Sequence, residues 1–157
     1  MVVRLRPHHL LCMLTFIGKG YNAAFVANYI AIARRLSEGE AIEIVSGPDD
    51  ICRPLLSGDK AHCRLESVVR RDDLATAAVA RLLGRSVRPG DRIYPGRTLI
   101  RRFREAFADG SLRTACHGCR WSEICSVVAA SGFADVRVLG SAVPAETATG
   151  TCAPLPA

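Results

Sequence analysis

Three cysteines that lie close together, Cys116, Cys119 and Cys125, form a C-x2-C-x5-C pattern. Two thiolates separated by two residues can bind one metal centre when a tight turn directs both sulfurs to the same side. Gly118 permits such a turn because it has no Cβ atom. Three thiolates are one short of the usual four ligands, so the pattern predicts a centre completed by a distant cysteine, with metal binding coupled to folding.

The spacing of these cysteines favours an iron–sulfur cluster over zinc. Clusters combine a short cysteine run with a remote cysteine, whereas zinc sites usually pair one C-x2-C with a second, and no second C-x2-C is present. Arg113 precedes the run, and Arg120 and Trp121 lie within it, between Cys119 and Cys125. Because an anionic cluster is stabilised by nearby cations and by exclusion of water, we expect Arg120 and Trp121 to surround the centre.

Three cysteines are candidates for the remote ligand, namely Cys12, Cys52 and Cys63. On a helix, His8 and His9 lie four and three positions before Cys12, so either histidine can support a centre that Cys12 binds. Cys52 and Cys63 enclose a polar loop, where free cysteines are unusual. All three cysteines remain open as the fourth ligand.

The composition indicates one globular domain in a reducing compartment. The chain has 157 residues, of which 49% are hydrophobic and 23% charged. Its 7 cysteines are odd in number and lack the spacing of a disulfide scaffold. The N-terminus lacks a signal-peptide cleavage pattern and no apolar stretch approaches the roughly 20 residues that span a bilayer, so we expect a cytoplasmic protein without membrane contact.

The net charge of +6 raises the question of a nucleic-acid partner. Arginine outnumbers lysine 19 to 2, as is typical of a GC-rich genome, and charge alone is weak evidence for a partner. Arg97, Arg101 and Arg104 recur on one side of a predicted helix. Because no aromatic stacking platform accompanies them, we favour a redox or regulatory protein partner over nucleic acid.

The sequence predicts a mainly α fold, a small helical domain over residues 1–138 with at most a short strand element, organised around a cysteine-ligated metal centre. Residues 139–157, which include Cys152, are rich in alanine, threonine and proline and read as a disordered tail. The segment 49–50 has turn chemistry, and the segments 51–65 and 85–96 are predicted loops. Four predicted helices run from Pro7 to Ile17, from Asn22 to Leu36, from Ser67 to Leu83 and from Arg97 to Ala108. A short fifth helix follows the cysteine run and ends at about Ala130, and the predicted strand covers Ala41 to Val45.

Four blocks of this sequence resemble the bacterial and archaeal domain-of-unknown-function family 1284. They are residues 4–12 (RLRPHHLLC), 18–21 (GKGY), 49–52 (DDIC) and the run from Cys116 to Cys125. The similarity spans roughly residues 3 to 133. That family is regarded as iron–sulfur binding with no established activity, so the resemblance implies a cluster and adds no reaction. Some family members carry further cysteines where this chain has Pro48 and Leu55, and the lack of these cysteines argues against a second complete cluster.

The sequence contains no Ser-His-Asp set, P-loop or glycine-rich dinucleotide motif. We therefore lean against an enzyme and predict a protein with one cysteine-bound 4Fe-4S cluster in electron transfer or in redox or iron sensing. Two alternatives stay open, a structural zinc domain acting as an interaction module and a nucleic-acid-binding protein whose metal site is structural. Metal content distinguishes the first and salt-dependent binding the second.

Overall fold

The computed structural model describes residues 1–57 and 65–142. These residues form a small domain with five α-helices and a three-stranded sheet, so the predicted helical class is confirmed, with more strand than expected. No helix within these ranges combines the length and the apolar character needed to cross a bilayer. The elements are β1 Val2–Leu5, α1 His9–Cys12, α2 Ala23–Ser37, β2 Ala41–Ile44, α3 Glu66–Leu83, β3 Arg92–Ile93, α4 Arg97–Ala108 and α5 Ser122–Ala130, with 3-10 turns at Arg53–Leu55 and Thr114–Cys116.

The sheet has the strand order β1-β2-β3, with β2 in the centre. β1 pairs with β2 in parallel, Val2 opposite Ala41, and β2 pairs with β3 in antiparallel fashion. A parallel pair needs a crossover connection, which α1 and α2 supply here. Because β1 ends at Leu5, the sheet anchors the start of the segment that carries the adjacent histidines and Cys12.

The strand predicted near Ala41 is present, whereas β1 and β3 were not predicted. β1 places only Val3 and Leu5 on its buried side, and β3 has two residues inside a segment predicted as loop. A period of two cannot be recognised in so few positions. Their partner strand lies far away in sequence, so only the folded chain reveals the pairing.

The helix α2 begins where the sequence predicted, because the side chain of Asn22 accepts a hydrogen bond from the Phe25 amide at 2.8 Å. Its buried stripe is Phe25, Tyr29, Ile32, Ala33 and Leu36. Ile30 is 40% exposed. α2 therefore has one buried face.

Other helix boundaries follow local signals to different degrees. α3 ends at Gly84, which has a left-handed φ of 67° as a C-terminal glycine should, but Ser67 lies inside α3 and does not cap it. α4 covers the predicted range. α1 is only four residues long and stops at Cys12, well before the predicted end at Ile17.

The chain remains packed against the domain beyond residue 138. Ser141 is buried, forms a bridge with Gly96 and accepts a hydrogen bond from the Arg97 amide at 3.0 Å. A Cβ atom on Gly140 would lie 3.0 Å from the Arg97 Cα atom, so this close approach requires glycine. Residues 143–157, with Cys152, lie outside the described residues.

Candidate metal centre

Four cysteines from two distant segments line one cavity of about 130 Å³. Cys12 comes from the end of α1, and Cys116, Cys119 and Cys125 come from the segment between α4 and α5 and from α5 itself. More than 100 positions separate Cys12 from the other three in the sequence. Of the candidates for the remote ligand, the fold thus places Cys12 beside the cysteine run.

The backbone of the cysteine run is a series of tight turns. The amide of Cys119 donates to the Cys116 carbonyl oxygen at 3.1 Å, and Gly118 between them has a φ of 74°, the turn that glycine was expected to make. α5 follows directly, with the Cys125 amide bonded to the Trp121 carbonyl oxygen at 3.0 Å. These turns bring the three thiols to the same cavity.

Burial and nearby hydrogen-bond donors act on the pKa values of three of the thiols. Burial raises the pKa of Cys12 well above its usual value, and the neighbouring cysteines raise it further. Burial also raises the pKa of Cys116 and of Cys125, against hydrogen bonds from Arg113 to Cys116 and from Thr15 to Cys125. The Thr15 Oγ1 atom lies 3.1 Å from the Cys125 sulfur. Metal binding here would displace thiol protons, and both donors would stabilise sulfur as thiolate.

Tyr29 adds an unsatisfied polar group to the wall of this cavity. Its side chain is 4% exposed, and its hydroxyl has no hydrogen-bond partner among the described residues. Burial raises the pKa of Tyr29 well above its usual value, and the charges of Cys12 and Cys125 raise it further, as expected of a neighbour. An unpaired buried hydroxyl is costly, so an acceptor such as a metal-bound sulfur at this place would fit the site.

The sulfurs of the four-cysteine cavity are not gathered as closely as the ligands of a single bound ion. Within residues 1–57 and 65–142, no three of the four thiols have sulfurs that all lie within 4.8 Å of one another. A single tetrahedral zinc ion, with bonds of about 2.3 Å, requires sulfurs about 3.8 Å apart. A 4Fe-4S cluster is larger and holds its cysteines further apart, with one on each iron.

Aromatic side chains cover one side of the cavity. Tyr21 and Trp121 both line it and meet edge to face, with ring centroids 5.3 Å apart. The Arg120 guanidinium lies over both rings, 5.2 Å from the Tyr21 centroid and 5.5 Å from the Trp121 centroid. Trp121 thus lines the cavity and Arg120 lies over the rings of Trp121 and Tyr21, and Tyr21 was not anticipated from the sequence.

The other two candidate ligands lie elsewhere. Cys52 is buried, does not line the four-cysteine cavity, and hydrogen-bonds to the fully buried Arg6. Cys63 lies outside the described residues.

Arg6 belongs to a buried charge network with Asp72 of α3. The Arg6 guanidinium donates two hydrogen bonds to one Asp72 oxygen, at 2.9 and 2.7 Å. The other oxygen accepts from the His8 Nδ1 atom at 2.6 Å and from the His8 amide at 3.2 Å. Burial, and then the charge of His9, lower the pKa of His8 to about 4, whereas Asp72 opposes this shift. His8 is therefore neutral at neutral pH.

A parallel arrangement holds His9. Its Nδ1 atom lies 2.6 Å from an oxygen of buried Asp49, which also accepts from the Arg6 amide at 2.8 Å. The other Asp49 oxygen accepts from the amides of Ile51 and Cys52. Asp49 is thus the turn residue that the sequence predicted, and it additionally orients His9. His8 and His9 both line the four-cysteine cavity.

The sequence reasoning missed Asp72. Its only local signal is its position in the buried stripe of α3, since Ala75 and Val79 follow it at three and seven positions and all three are buried. An aspartate in an apolar stripe indicates a buried partner. The identity of that partner, 66 positions away, is not visible in the sequence.

The predicted row of three arginines on α4 is not uniform. Arg104 points into the domain, where its guanidinium donates to the carbonyl oxygens of Leu14 and Val138 and lies over the Phe133 ring. Arg97 and Arg101 are exposed. Arg104 therefore has a structural role, and two arginines remain on the surface.

Residues 20–125 match the sequence family described as "Protein of unknown function (DUF1284)". This match covers more than half of the chain, so the protein belongs to that family. The matched range includes Cys52, Cys116, Cys119 and Cys125, and it begins after Cys12. Comparisons with curated proteins and with solved structures gave no match.

Proposed function

We propose that this protein binds an iron–sulfur cluster through Cys12, Cys116, Cys119 and Cys125 and acts in electron transfer or redox sensing. The observation that carries the proposal is the convergence of these four thiols, from two distant segments, on one cavity. A structural role alone does not explain the convergence, because buried free thiols gain little from one another. When bound, a 4Fe-4S cluster supplies one-electron redox chemistry.

The residues around the thiols support this proposal because they can stabilise negative charge on sulfur. Thr15 and Arg113 donate hydrogen bonds to two of the sulfurs, and Tyr29 has an unused donor at the cavity. Donors to sulfur stabilise the more negative, reduced state of a cluster and so raise its reduction potential. Trp121 and Tyr21 limit the access of water from one side.

Anaerobic purification followed by iron and acid-labile sulfide analysis tests the proposal. We expect a brown protein with equal amounts of iron and sulfide. Serine substitution of Cys12, Cys116, Cys119 or Cys125 should remove most of both, and Cys52→Ser is the matched control that should retain them. Colourless protein with stoichiometric zinc after iron-replete anaerobic expression would overturn the proposal, as would full cluster content in Cys12→Ser together with loss in Cys52→Ser.

A further inference from the structure

A second cavity, with a volume of about 240 Å³, adjoins the four-cysteine cavity. The residues that line both cavities are His8, His9, Tyr21, Phe25, Arg71 and Cys119. A molecule in the second cavity would therefore lie beside the thiols. The two cavities nevertheless differ in chemistry, because Cys12, Cys116 and Cys125 line only the first.

Two arginines of the second cavity have donors that the described residues do not use. The Arg71 Nε atom donates to the Ala115 carbonyl oxygen, and its terminal nitrogens make no hydrogen bond within residues 1–57 and 65–142. The Arg120 guanidinium lies over the rings of Tyr21 and Trp121. No aspartate or glutamate of the same ranges lines the cavity. Because a guanidinium presents a planar set of donors that matches a carboxylate, this wall suits an organic anion.

His8 and His9 contribute hydrogen-bond acceptors to the same cavity. Each Nδ1 atom lies 2.6 Å from a carboxylate oxygen, of Asp72 for His8 and of Asp49 for His9. An ionised carboxylate only accepts hydrogen bonds, so Nδ1 carries the proton of each neutral imidazole and Nε2 is left as an acceptor. Neither Nε2 atom has a hydrogen-bond partner among the described residues, although the His8 side chain is only 10% exposed. A nearly buried acceptor without a donor indicates a ligand that brings a hydroxyl group.

Apolar side chains form much of the remaining wall. They are Tyr21, Phe25, Leu55, Leu65 and Val68. The rings of Tyr21 and Phe25 meet edge to face, with centroids 5.2 Å apart, and such rings pack well against another aromatic ring. An apolar wall with a few directed polar groups is the usual form of a site for a small organic molecule.

We propose that the second cavity binds a small carboxylic acid that has a hydroxyl group on an aromatic body. The carboxylate binds to the guanidinium groups of Arg71 and Arg120, the hydroxyl donates to a histidine Nε2 atom, and the body lies against the apolar wall. No cysteine binds the acid, so binding does not require the cluster. In protein that holds the cluster, the acid lies next to Cys119 and thus to the redox centre, and this placement alone rests on the proposed function.

Inorganic phosphate fits the cavity less well than such an acid. A phosphate ion would pair with the arginines but would leave the apolar wall in contact with water. Its unprotonated oxygens also could not donate to the histidine acceptors. The combination of cationic donors, neutral acceptors and apolar surface therefore favours the hydroxylated aromatic acid.

Isothermal titration calorimetry of the anaerobically purified protein tests the proposal. The probes are the three isomers of hydroxybenzoate, which differ in the distance between the carboxylate and the hydroxyl. We expect at least one isomer to bind saturably, with one molecule per chain. Benzoate should bind about tenfold more weakly or worse, because the histidine acceptor is left unpaired. The corresponding hydroxybenzamide should also bind about tenfold more weakly or worse, because it has no charge to pair with the arginines.

Arg120 offers the sharpest variant, because its side chain is exposed and contributes little to the core. Arg120→Gln should weaken binding of the preferred hydroxybenzoate about tenfold or more, and Arg120→Lys should weaken it less, because lysine keeps the charge. Arg70→Gln is the matched control. It removes an exposed arginine of α3 that does not line the cavity, and it should leave binding unchanged.

The histidines have a readout of their own, the preference for hydroxybenzoate over benzoate. His8→Phe or His9→Phe should abolish this preference, because phenylalanine keeps an apolar ring and removes the acceptor. Benzoate should bind to that variant as it binds to the unchanged protein. Where a phenylalanine variant fails to fold, the comparison of Arg120→Gln with Arg70→Gln decides.

Three results would overturn the acid-binding site. They are the absence of saturable binding by every hydroxybenzoate isomer, binding that Arg120→Gln leaves unchanged, and binding of benzoate as tight as that of the best isomer. Failure of the cluster proposal would instead appear as missing iron and sulfide. The titration would remain interpretable in that case, because the arginines and histidines of this site are present with or without iron.

Discussion

The four-cysteine cavity and the buried charge network lie side by side but differ in how their polar groups are satisfied. In the network, every oxygen of Asp49 and Asp72 accepts hydrogen bonds from the chain itself. In the cavity, burial raises the pKa values of Cys12, Cys116 and Cys125, and the Tyr29 hydroxyl has no partner among the described residues. The polar groups of the network are satisfied within the polypeptide, whereas the Tyr29 hydroxyl in the cavity finds no acceptor among the described residues.

This difference indicates that the charge network supports the surrounding chain, whereas the cavity is suited to binding. Buried charges are expensive to desolvate, and a well-packed apolar set of the same volume is often as stable or more so. The network therefore contributes mainly by positioning the His8–Cys12 turn and the imidazoles. The cavity, by contrast, contributes mainly as a place where a ligand can bind. Substitutions should accordingly have large effects on stability in the network and small effects on stability in the cavity.

The largest effect should come from Asp72→Ala. This change removes the Asp72 carboxylate, which forms an ion pair with the fully buried Arg6. Breaking a buried pair by removing one partner costs about 3 to 5 kcal/mol. We expect a loss of this size in the free energy of unfolding measured by urea titration. Asp73→Ala, at the exposed neighbouring position, should change it by less than about 0.5 kcal/mol. Equal effects of the two changes would contradict the contrast between the regions.

The pH dependence of stability should report on His8. Burial, first, and the charge of His9 lower its pKa from 6.5 to about 4 in the folded protein. The unfolded chain therefore binds more protons between these values, and the free energy of unfolding should decrease as the pH falls from about 6.5 to about 4. One pKa unit corresponds to about 1.36 kcal/mol, so the decrease should approach about 3 kcal/mol.

His8→Gln is the control for this pH dependence, because glutamine can still donate to Asp72 but does not titrate. Denaturant titrations of both proteins at several pH values in metal-free buffer provide the measurement. A slope of the same size in His8→Gln would assign the effect to another group. Asp49 and Asp72 titrate below this window, because their pKa values are lowered in the fold from the usual 3.8, that of Asp49 to about 2.

Arg71 tests the link between the two regions. It precedes Asp72 on α3, and its Nε atom donates to the Ala115 carbonyl oxygen at 3.0 Å, next to Cys116. Arg71→Gln should cost about 1 kcal/mol of stability, the value of a typical hydrogen bond, and should weaken retention of metal by the cysteines. Arg70→Gln, at an exposed position, should do neither, as thermal unfolding and metal analysis can show.

The smallest effect should come from Tyr29→Phe, and it should have the opposite sign. Removing an unpartnered buried hydroxyl should raise the stability of the metal-free protein by about 0.5 to 1 kcal/mol. If a cluster is bound, loss of this donor should lower its reduction potential, which protein-film voltammetry can measure. Destabilisation of the metal-free protein by Tyr29→Phe would show that the hydroxyl has a hydrogen-bond partner. That result would contradict the contrast between the cavity and the network.

Local signals in the sequence were sufficient for features that depend on residues a few positions apart. The cap at Asn22, the bounds of α4, the end of α3 at Gly84 and the turn at Gly118 all appear as predicted. Each is decided by the conformational preference or hydrogen-bonding capacity of one or two neighbouring residues. The C-x2-C-x5-C run belongs to this class, because its turns are internal to it.

Only the tertiary structure decided which distant groups meet. The sequence left Cys12, Cys52 and Cys63 open as the fourth ligand, whereas the parallel pairing of β1 with β2 and the short α1 place Cys12 at the cysteine run and Cys52 beside Arg6. Asp72 had only the local signal of an aspartate in an apolar stripe, and nothing in the sequence distinguished Tyr29 from an ordinary core residue. Contacts across tens of residues leave no periodic trace in a single sequence, because they depend on how whole elements pack. The residue types for metal chemistry were therefore readable from the sequence by itself, and their division into a cysteine cavity and a histidine–carboxylate network was a property of the fold.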